Sequence, residues 1–221
     1  MGSSITYHLA KNGVKTLAFE KFGLNHRYGS SHGETRGIRT AYYEHPGYVP
    51  LVNRALELWN ELQLKTKKPI VKMTGGVAIG NPKGTLVGGQ LEAAKRHAFP
   101  HEVLGPKETQ ERFGAYHLAE GEVCFYTPGS GILWRENCIA THVKLAKEEG
   151  AEIHFNEPLL GWKEEKESIV VRTKKGKFAT EKLIFSSGAW IPQLFPELKL
   201  PLGGGEADAF LVQASPREET F

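Results

Sequence analysis

The clearest architectural signal in the chain lies in residues 2–20, GSSITYHLAKNGVKTLAFE. Apolar residues recur there at helical spacing, and Gly13 follows as a residue that can end a helix in a left-handed conformation. Residues 14–19 are mostly apolar and predict a buried strand that closes on Glu20. A helix, a glycine turn and a strand ending in an acid form the second half of a dinucleotide-binding βαβ unit, whose acid binds ribose hydroxyls.

In such a unit Gly2 is the third glycine, the one that lets the helix and the strands pack closely. The first strand and the first two glycines would then lie before Met1. Because phosphate binding at a helix N-terminus needs that glycine turn, we expect this chain to bind a nucleotide weakly. Two other interpretations of the segment remain: an ordinary helix–strand pair with a charged end, and an N-myristoylation pattern at residues 1–6.

A second motif follows at residues 29–39, GSSHGETRGIR. Its glycines and serines are too frequent for a helix interior, and no strand alternation is visible, so we predict a loop that lays backbone and polar groups against an anion. Arg36 and Arg39 are three residues apart, and one helical turn after the loop would aim both guanidinium groups the same way. The alternative is a solvated basic surface loop.

Composition excludes several classes of protein. The 221 residues allow one large domain or two small ones, and the net charge of +3, with basic residues scattered, predicts no nucleic-acid partner. Cys124 and Cys138 have neither metal-ligand spacing nor a disulfide pattern, so we expect no metal site and a reducing, cytoplasmic setting. No apolar run approaches the roughly 20 residues of a membrane span, and we expect no membrane partner.

The remaining chain alternates helical and strand patterns. Predicted helices occupy 46–64, 87–97, 107–113 and 136–149; predicted strands occupy 70–80, 102–104, 121–134 on both sides of a turn, 151–155, 159–164, 169–173 and 182–185. The last of these strands runs into small residues at 186–190, as a doubly wound sheet does where it presents backbone to a nucleotide. Glycine-rich and then charged composition predicts a disordered tail at 201–221.

Taken together, these segments resemble the sarcosine oxidase family of FAD-dependent amino-acid oxidoreductases. The resemblance covers about residues 2–201, and the His-Gly-Glu-Thr-Arg loop is its most specific part. After Pro201 the pattern is lost, so we expect a chain truncated at both ends. The matching residues are 7–16, Glu20, 29–36, 38–39, 74–77, 131–133, 136–138 and 186–190.

The resemblance implies an α/β fold with two parts. An FAD-binding, doubly wound (Rossmann-like) sheet would be built from residues 1–70 and 136–200. A mixed, mostly antiparallel α+β substrate domain would be inserted at 71–135, and 201–221 would be a divergent tail. Family members often tether the flavin to a cysteine, but neither cysteine of this chain matches that position.

The resemblance also implies a set of site residues. Catalytic roles would fall to His32 and Arg36, lying against the flavin ring, and to Arg39, holding the substrate carboxylate. Glu20 would bind the adenosine ribose. The full set of predicted cofactor-binding residues is Gly2, Glu20, Ser31, His32, Thr35, Arg36, Gly188 and Trp190.

The implied reaction is oxidation of the C–N bond of a secondary or N-methyl amino acid, such as sarcosine. Molecular oxygen would accept the electrons, and the products would be an imine and hydrogen peroxide. We expect a monomer or a weak homo-oligomer. Two alternatives remain: an FAD oxidase or dehydrogenase for glycine, dimethylglycine or pipecolate, and a non-catalytic truncated chain. A nicotinamide enzyme fits less well, because the His-Gly-Glu-Thr-Arg loop has no role there.

Overall fold

The computed structural model describes residues 1–199. Its helices are α1 (Gly2–Lys11), α2 (Tyr48–Thr66), α3 (Thr85–His97), α4 (Pro106–Phe113), α5 (Arg135–Glu148) and α6 (Ile191–Leu194), with short 3-10 turns at Gly188–Trp190 and Pro196–Leu198. Its strands are β1 (Leu17–Phe19), β2 (Thr35–Ile38), β3 (Val71–Met73), β4 (Gly76–Gly80), β5 (Glu102–Leu104), β6 (Val123–Thr127), β7 (Gly131–Trp134), β8 (Glu152–His154), β9 (Gly161–Glu164), β10 (Ile169–Arg172) and β11 (Lys177–Thr180).

The first layer is a parallel pair of strands under two helices. Strand β1 pairs in parallel with β8, with Leu17 opposite Glu152. Helix α1 packs against α5, and Gly13, at φ 76°, ends α1 in the left-handed region. The α/β prediction for this part of the chain is confirmed. Its core consists of Tyr7, Ala10, Leu62, Ile70, Cys138, Leu145, Ala146 and Ala151.

The other sheets within residues 1–199 are antiparallel. Strand β7 lies between β2 and β3, β6 lies between β4 and β5, and β9, β10 and β11 form a meander. Helix α3 covers β4 and β6, and their shared core consists of Ala41, Val87, Ala94 and Phe125. Since β2 precedes residue 70 and β7 follows it, the β2–β7–β3 sheet joins residues from both sides of the predicted boundary at 70/71. The domain boundaries remain a prediction.

Three predictions of loop or strand are corrected. Residues 35–38 are strand β2, not loop, because their backbone pairs with β7 across the chain. Residues 70–80 are not one bulged strand: Gly75, at φ 71°, turns the chain, and β3 and β4 enter different sheets. Residues 182–185 form no strand; within residues 1–199 no strand pairs with them, and Ile184 is 56% exposed.

Within the part of the chain that the structure describes, no helix has both the length and the apolar character needed to span a membrane. The predicted tail at 201–221 lies outside the described residues. Both cysteines are buried and free, and burial raises the pKa of the Cys138 thiol to about 11. Cys124, on β6, packs as a small buried hydrophobe.

A buried carboxylate fastens the meander to the parallel strands. The Glu157 side chain is 1% exposed and accepts hydrogen bonds from Lys175 Nζ at 2.8 Å and Thr173 Oγ1 at 2.6 Å, while His154 Nδ1 lies 2.9 Å away. The Glu157 backbone N–H donates to the Glu20 carbonyl at 2.9 Å. Hydrogen bonding lowers the pKa of Glu157 to about 2, with Lys175 as the largest contributor and Thr173 as the next. The cluster therefore holds the backbone of Glu20, the residue that follows β1.

We predict that this cluster makes the fold acid-sensitive. Because the pKa of Glu157 lies at about 2 in the fold against its ordinary 4.5, its contribution is complete above pH 4.5 and is lost as the pH falls towards 2. Glu157→Gln should flatten the fall in the free energy of unfolding over that pH range, as measured by urea titrations. Glu165→Gln, at an exposed glutamate between β9 and β10, is the matched control and should follow the wild-type curve. Equal slopes in all three proteins would contradict the prediction.

Candidate functional site

The N-terminus of α1 lies against the segment that follows the meander. Helix α1 begins at Gly2, and a Cβ built on Gly2 would lie 2.8 Å from Ser186 Oγ. The close approach expected of Gly2 is therefore present, although its neighbour is an irregular segment and not a strand. The first turn of α1 carries no acidic side chain. Its free N–H groups and the positive end of the helix dipole suit a phosphate group.

Glu20 stands at the end of β1 and is fixed by backbone bonds on both sides. Its N–H donates to the His154 carbonyl at 2.8 Å. Its side-chain Oε1 accepts from the Phe22 N–H at 2.9 Å and lies 3.6 Å from His26 Nε2. The side chain is 38% exposed. A carboxylate at the carboxyl end of a parallel strand, partly open to solvent, can accept further hydrogen bonds from hydroxyl groups.

An aromatic cluster joins Glu20 to two predicted site segments. The Phe22 ring centroid lies 4.8 Å from that of His26, 4.6 Å from that of Tyr28 and 5.8 Å from that of Trp190. Trp190 ends the 3-10 turn that begins at Gly188, which was also predicted to bind the cofactor and has a φ of 52°. The sequence expectations included Trp190 but missed the other three rings. Their close spacing directly after the strand was the available signal.

The 29–39 loop is held largely by its own backbone. The His32 N–H donates to the Gly29 carbonyl at 3.0 Å, and His32 Nδ1 lies 2.9 Å from the same oxygen. Arg36 Nη2 donates to the Ser30 carbonyl. The side chains of Ser31, His32, Thr35 and Arg36 are all exposed. The loop begins next to Tyr28, so its polar groups follow directly from the aromatic cluster.

Arg36 and Arg39 do not share a face. Arg36 lies within β2, Arg39 follows the end of that strand, and side chains in a strand alternate between faces. The prediction of a helical turn that aims both guanidinium groups the same way is therefore wrong. Pairing with β7 overrides the weak local preference, and the two arginines meet different neighbours.

Arg39 lines a small cavity of about 190 Å³ between β2, β4, β6 and β7. It is the one charged side chain among the described residues that form the walls. The guanidinium carbon lies 5.0 Å from the Tyr42 ring centroid and 5.7 Å from that of Tyr43, and Nη2 lies 3.5 Å from Glu44 Oε1. The walls include Thr74, Gly75, Gly76, Val77, Gly131 and Ile132, which belong to segments that carry the family resemblance.

A buried glutamine closes one side of this cavity. Gln90 Nε2 donates to the Ala41 carbonyl at 3.1 Å, and within residues 1–199 its buried Oε1 has no hydrogen-bond partner. Gln90 was not among the residues predicted for the site. Its position in α3 gave no sequence signal, since a polar residue in a helix is most often solvated.

Arg135 was also missed. It is the first residue of α5, its side chain is 6% exposed, and Nε donates to the Gly33 carbonyl at 2.9 Å. Nη2 lies 3.3 Å from Glu136 Oε1, and within residues 1–199 the buried Nη1 has no partner. A buried, incompletely paired guanidinium is costly, by roughly 1–3 kcal/mol for the unmade bond alone. Its position beside the 29–39 loop is therefore a notable feature of the fold.

These groups have the donor and acceptor chemistry that FAD requires. The start of α1 could supply free N–H groups to phosphates, Glu20 could accept from ribose hydroxyls, and Trp190 with Phe22 could offer aromatic faces. The loop supplies guanidinium and imidazole donors for the polar edge of a flavin ring. The residues present therefore fit the cofactor that the family resemblance implies.

Known proteins are similar to this chain in sequence. The family model for FAD dependent oxidoreductases matches residues 1–220. The monomeric sarcosine oxidase of Streptomyces avermitilis is 38% identical over 201 residues, which cover 91% of this chain and 52% of that protein. The N-methyl-L-tryptophan oxidase of Yersinia pestis is 29% identical over 198 residues, which cover 90% of this chain and 53% of that protein. The chain thus spans about half the length of these curated relatives.

Solved structures share the fold. NikD, an amino acid oxidase essential for nikkomycin biosynthesis, has a TM-score of 0.79 at 20% identity over 89% of this chain and 51% of its own. Glycine oxidase from Geobacillus kaustophilus has a TM-score of 0.74 at 23% identity over 91% of this chain and 56% of its own. With the match of the family model to nearly the whole sequence, these findings show that the chain belongs to the FAD-dependent oxidoreductase family, whose cofactor is FAD.

Proposed function

We propose that this protein oxidises the C–N bond of a small secondary or N-methyl amino acid of the sarcosine type. Molecular oxygen would be the acceptor, and an imine and hydrogen peroxide the products. The names of the relatives support an N-methyl amino acid, since one acts on sarcosine, which is N-methylglycine, and another on N-methyl-L-tryptophan. In its cytoplasmic setting the protein would need no partner beyond the amino acid and oxygen.

The observation that carries the proposal is the cavity beside Arg39. Its volume of about 190 Å³ is smaller than the roughly 300 Å³ at which sites for drug-sized ligands begin. A single cation in neutral walls suits a ligand with one carboxylate. The volume favours a substrate with a small side chain over one with an indole, while the cation suits either carboxylate. The cavity supports a sarcosine-like amino acid on the grounds of size and charge together.

Arg39 would orient the substrate. Its planar guanidinium binds both oxygens of a carboxylate and so fixes an angle as well as a position. Tyr42 and Tyr43 pack against the guanidinium and Glu44 lies beside it, and these contacts limit its rotation. Holding the carboxylate in one orientation determines which C–H bond of the neighbouring carbon is presented for oxidation.

The other predicted residues would hold the cofactor. Gly2 leaves room at the start of α1, Glu20 accepts from the ribose, and Trp190 with Gly188 covers the adenosine end. Ser31, His32, Thr35 and Arg36 would meet the flavin ring and its ribityl chain through hydrogen bonds. FAD, when bound, supplies the electron-accepting ring that no side chain of the protein can replace.

We also propose the domain arrangement that the resemblance implies. Residues 1–70 and 136–200 would form the FAD-binding, doubly wound part, and 71–135 the inserted substrate part. The parallel β1–β8 pair with α1 and α5 supports the first assignment. The antiparallel β4–β6–β5 sheet under α3 supports the second. The cavity beside Arg39 draws its walls from both.

We predict that the FAD-loaded chain reacts with sarcosine. Addition of sarcosine without oxygen should bleach the visible flavin absorption, and in air a peroxidase-coupled dye should report hydrogen peroxide. Glycine, dimethylglycine, pipecolate and N-methyl-L-tryptophan should react more slowly, because none combines a small side chain with one N-methyl group. Retention of flavin without bleaching by any of the five amines would show that the proposed reaction is wrong. Faster reaction with another member of the set would reassign the substrate.

Exchanging each loop arginine for lysine separates their roles. Arg39→Lys should raise KM for the amino acid strongly and leave the flavin spectrum nearly unchanged, because one ammonium group cannot reproduce bidentate binding. Arg36→Lys should change the flavin spectrum more than it changes KM. Arg112→Lys is a control, since Arg112 pairs with Glu102 on the surface at 2.9 Å. The reverse pattern, or no change in either variant, would exclude these assignments.

Glu20→Gln tests the adenosine end of the site. The amide keeps an oxygen that can accept from the Phe22 N–H but loses the charge. Since a hydrogen bond to a charged group is stronger than one to a neutral group, we expect FAD affinity to fall roughly tenfold. The dissociation constant can be measured by titration of flavin fluorescence. Glu148→Gln, on the exposed surface of α5, should bind FAD as the wild type does, and equal affinity in all three proteins would disprove the role of Glu20.

A further inference from the structure

Arg135 connects two parts of the molecule that are far apart in sequence. Its Nε donates to the carbonyl of Gly33, 102 residues earlier, at 2.9 Å. We infer that Arg135 is a positioning residue that fixes the 29–34 loop and so holds His32 and Arg36 in place for the cofactor. This inference rests on the proposed function only for its cofactor consequence. The loop anchoring itself stands on the contacts of the chain.

The other side-chain hydrogen bonds of the 29–34 loop stay within residues 29–39. His32 bonds to Gly29, and Arg36 reaches back to Ser30. Ladder pairing with β7 begins only at Thr35. Within residues 1–199, the Arg135 bond is therefore the one side-chain hydrogen bond that ties the segment between Gly29 and Glu34 to a part of the fold outside residues 29–39. Gly33, which accepts it, has a φ of 101° that only glycine adopts easily.

The anchor itself is rigid. Arg135 follows Trp134, whose N–H donates to the carbonyl of the fully buried Ile70 at 3.0 Å and which stands opposite Thr35 in the β2–β7 pair. One helical turn later, Cys138 packs in the main core. Because the β7–α5 junction is fixed, the bond from the Arg135 guanidinium fixes the Gly33 backbone as well. The other side-chain hydrogen bonds of this loop run between residues 29 and 36.

The pairing of Arg135 is poor for structural purposes alone. Its carboxylate neighbour Glu136 is 60% exposed, and ion pairs with exposed partners contribute little. Nη1 is buried without a partner in the described part of the chain. A methionine of similar length would fill the same space without an unpaired donor. Local rules are most often broken at functional sites, and this arginine breaks one directly beneath the most specific motif of the sequence.

Hydrogen exchange on the 221-residue protein without cofactor tests the anchoring. In Arg135→Met, the amide of His32, which donates to the Gly29 carbonyl within this segment, should exchange roughly tenfold faster, because the segment loses a hydrogen bond to a charged group and opens more often, while amides in α2 and α5 stay protected. Arg135→Lys should show a smaller increase, since the ammonium keeps the charge and can still donate a hydrogen bond. Two controls should match the wild type: Glu136→Gln, which leaves the Gly33 bond intact, and Arg112→Met, which breaks a surface pair far from the loop in sequence.

The cofactor consequence is measured separately. FAD titration should give a dissociation constant roughly tenfold higher for Arg135→Met, partly restored in Arg135→Lys, because ordering the loop then opposes binding. The bound flavin spectrum of Arg135→Lys should also shift, which a general loss of stability would not cause.

Each outcome has one meaning. Unchanged exchange at the His32 amide in a folded Arg135→Met protein overturns the inference, whatever the FAD result. If Arg135→Met does not fold, Arg135→Lys carries the same comparison, and wild-type exchange there overturns it. Faster loop exchange with no flavin binding by any protein, wild type included, supports the anchoring and counts against the cofactor contacts proposed above. Faster exchange with wild-type FAD affinity confines Arg135 to the loop and overturns the cofactor part.

Discussion

Two short parallel strands bring the functional segments of this chain together. Glu20 directly follows β1 and Glu157 lies three residues beyond β8, and the pairing of the two strands places these residues side by side. Each strand is only three residues long, so its own ladder bonds cannot hold it. The packing of α1 on α5 and the buried Glu157 cluster supply the remaining stabilisation. Without this pairing, neither the acid nor the aromatic cluster beyond it would have a defined position.

The same pairing explains why the polar 29–39 loop can be both exposed and ordered. The chain leaves β1, forms the aromatic cluster around Phe22 and Tyr28, and then enters the loop before β2 joins β7. Both ends of the loop are therefore attached to packed structure. Its polar side chains are exposed, while the Tyr28 ring packs on Phe22 and the backbone is held at Gly33 and along β2. Binding residues on a loop that is fixed by a scaffold are a common arrangement in proteins.

Features encoded locally could be predicted from the sequence. Apolar spacing gave the five longer helices of residues 1–199 to within a few residues, and the acid at the end of an apolar run gave the position of Glu20. The close approach at Gly2 followed from the fingerprint, and the structure shows it against Ser186. These predictions succeed because spacing, capping glycines and strand ends depend on neighbours in the chain.

Features set by distant partners could not be predicted. Residues 35–38 look like loop but gain strand structure from β7, while 182–185 look like a strand but pair with no strand of residues 1–199. Arg135 shows the same limit for a side chain. Only the fold shows that its partner is the carbonyl of Gly33, 102 residues earlier in the sequence. Tertiary pairing decides such positions, and periodicity carries no information about it.

The distribution of charge gives this site a character that the net charge hides. A net charge of +3 over 221 residues would exert only a weak field if spread evenly. Within the 29–39 segment and its anchor, three arginines accompany Glu34, and Arg135 is buried, where charges are screened less by solvent and salt. The walls of the cavity beside Arg39 contribute no opposing carboxylate among the described residues, and Glu44 lies outside them. The arginines therefore lie in different surroundings on a nearly neutral protein, and only Arg39 brings a positive charge to the cavity walls. The electrostatic character of that cavity depends on where the arginines lie more than on how many there are.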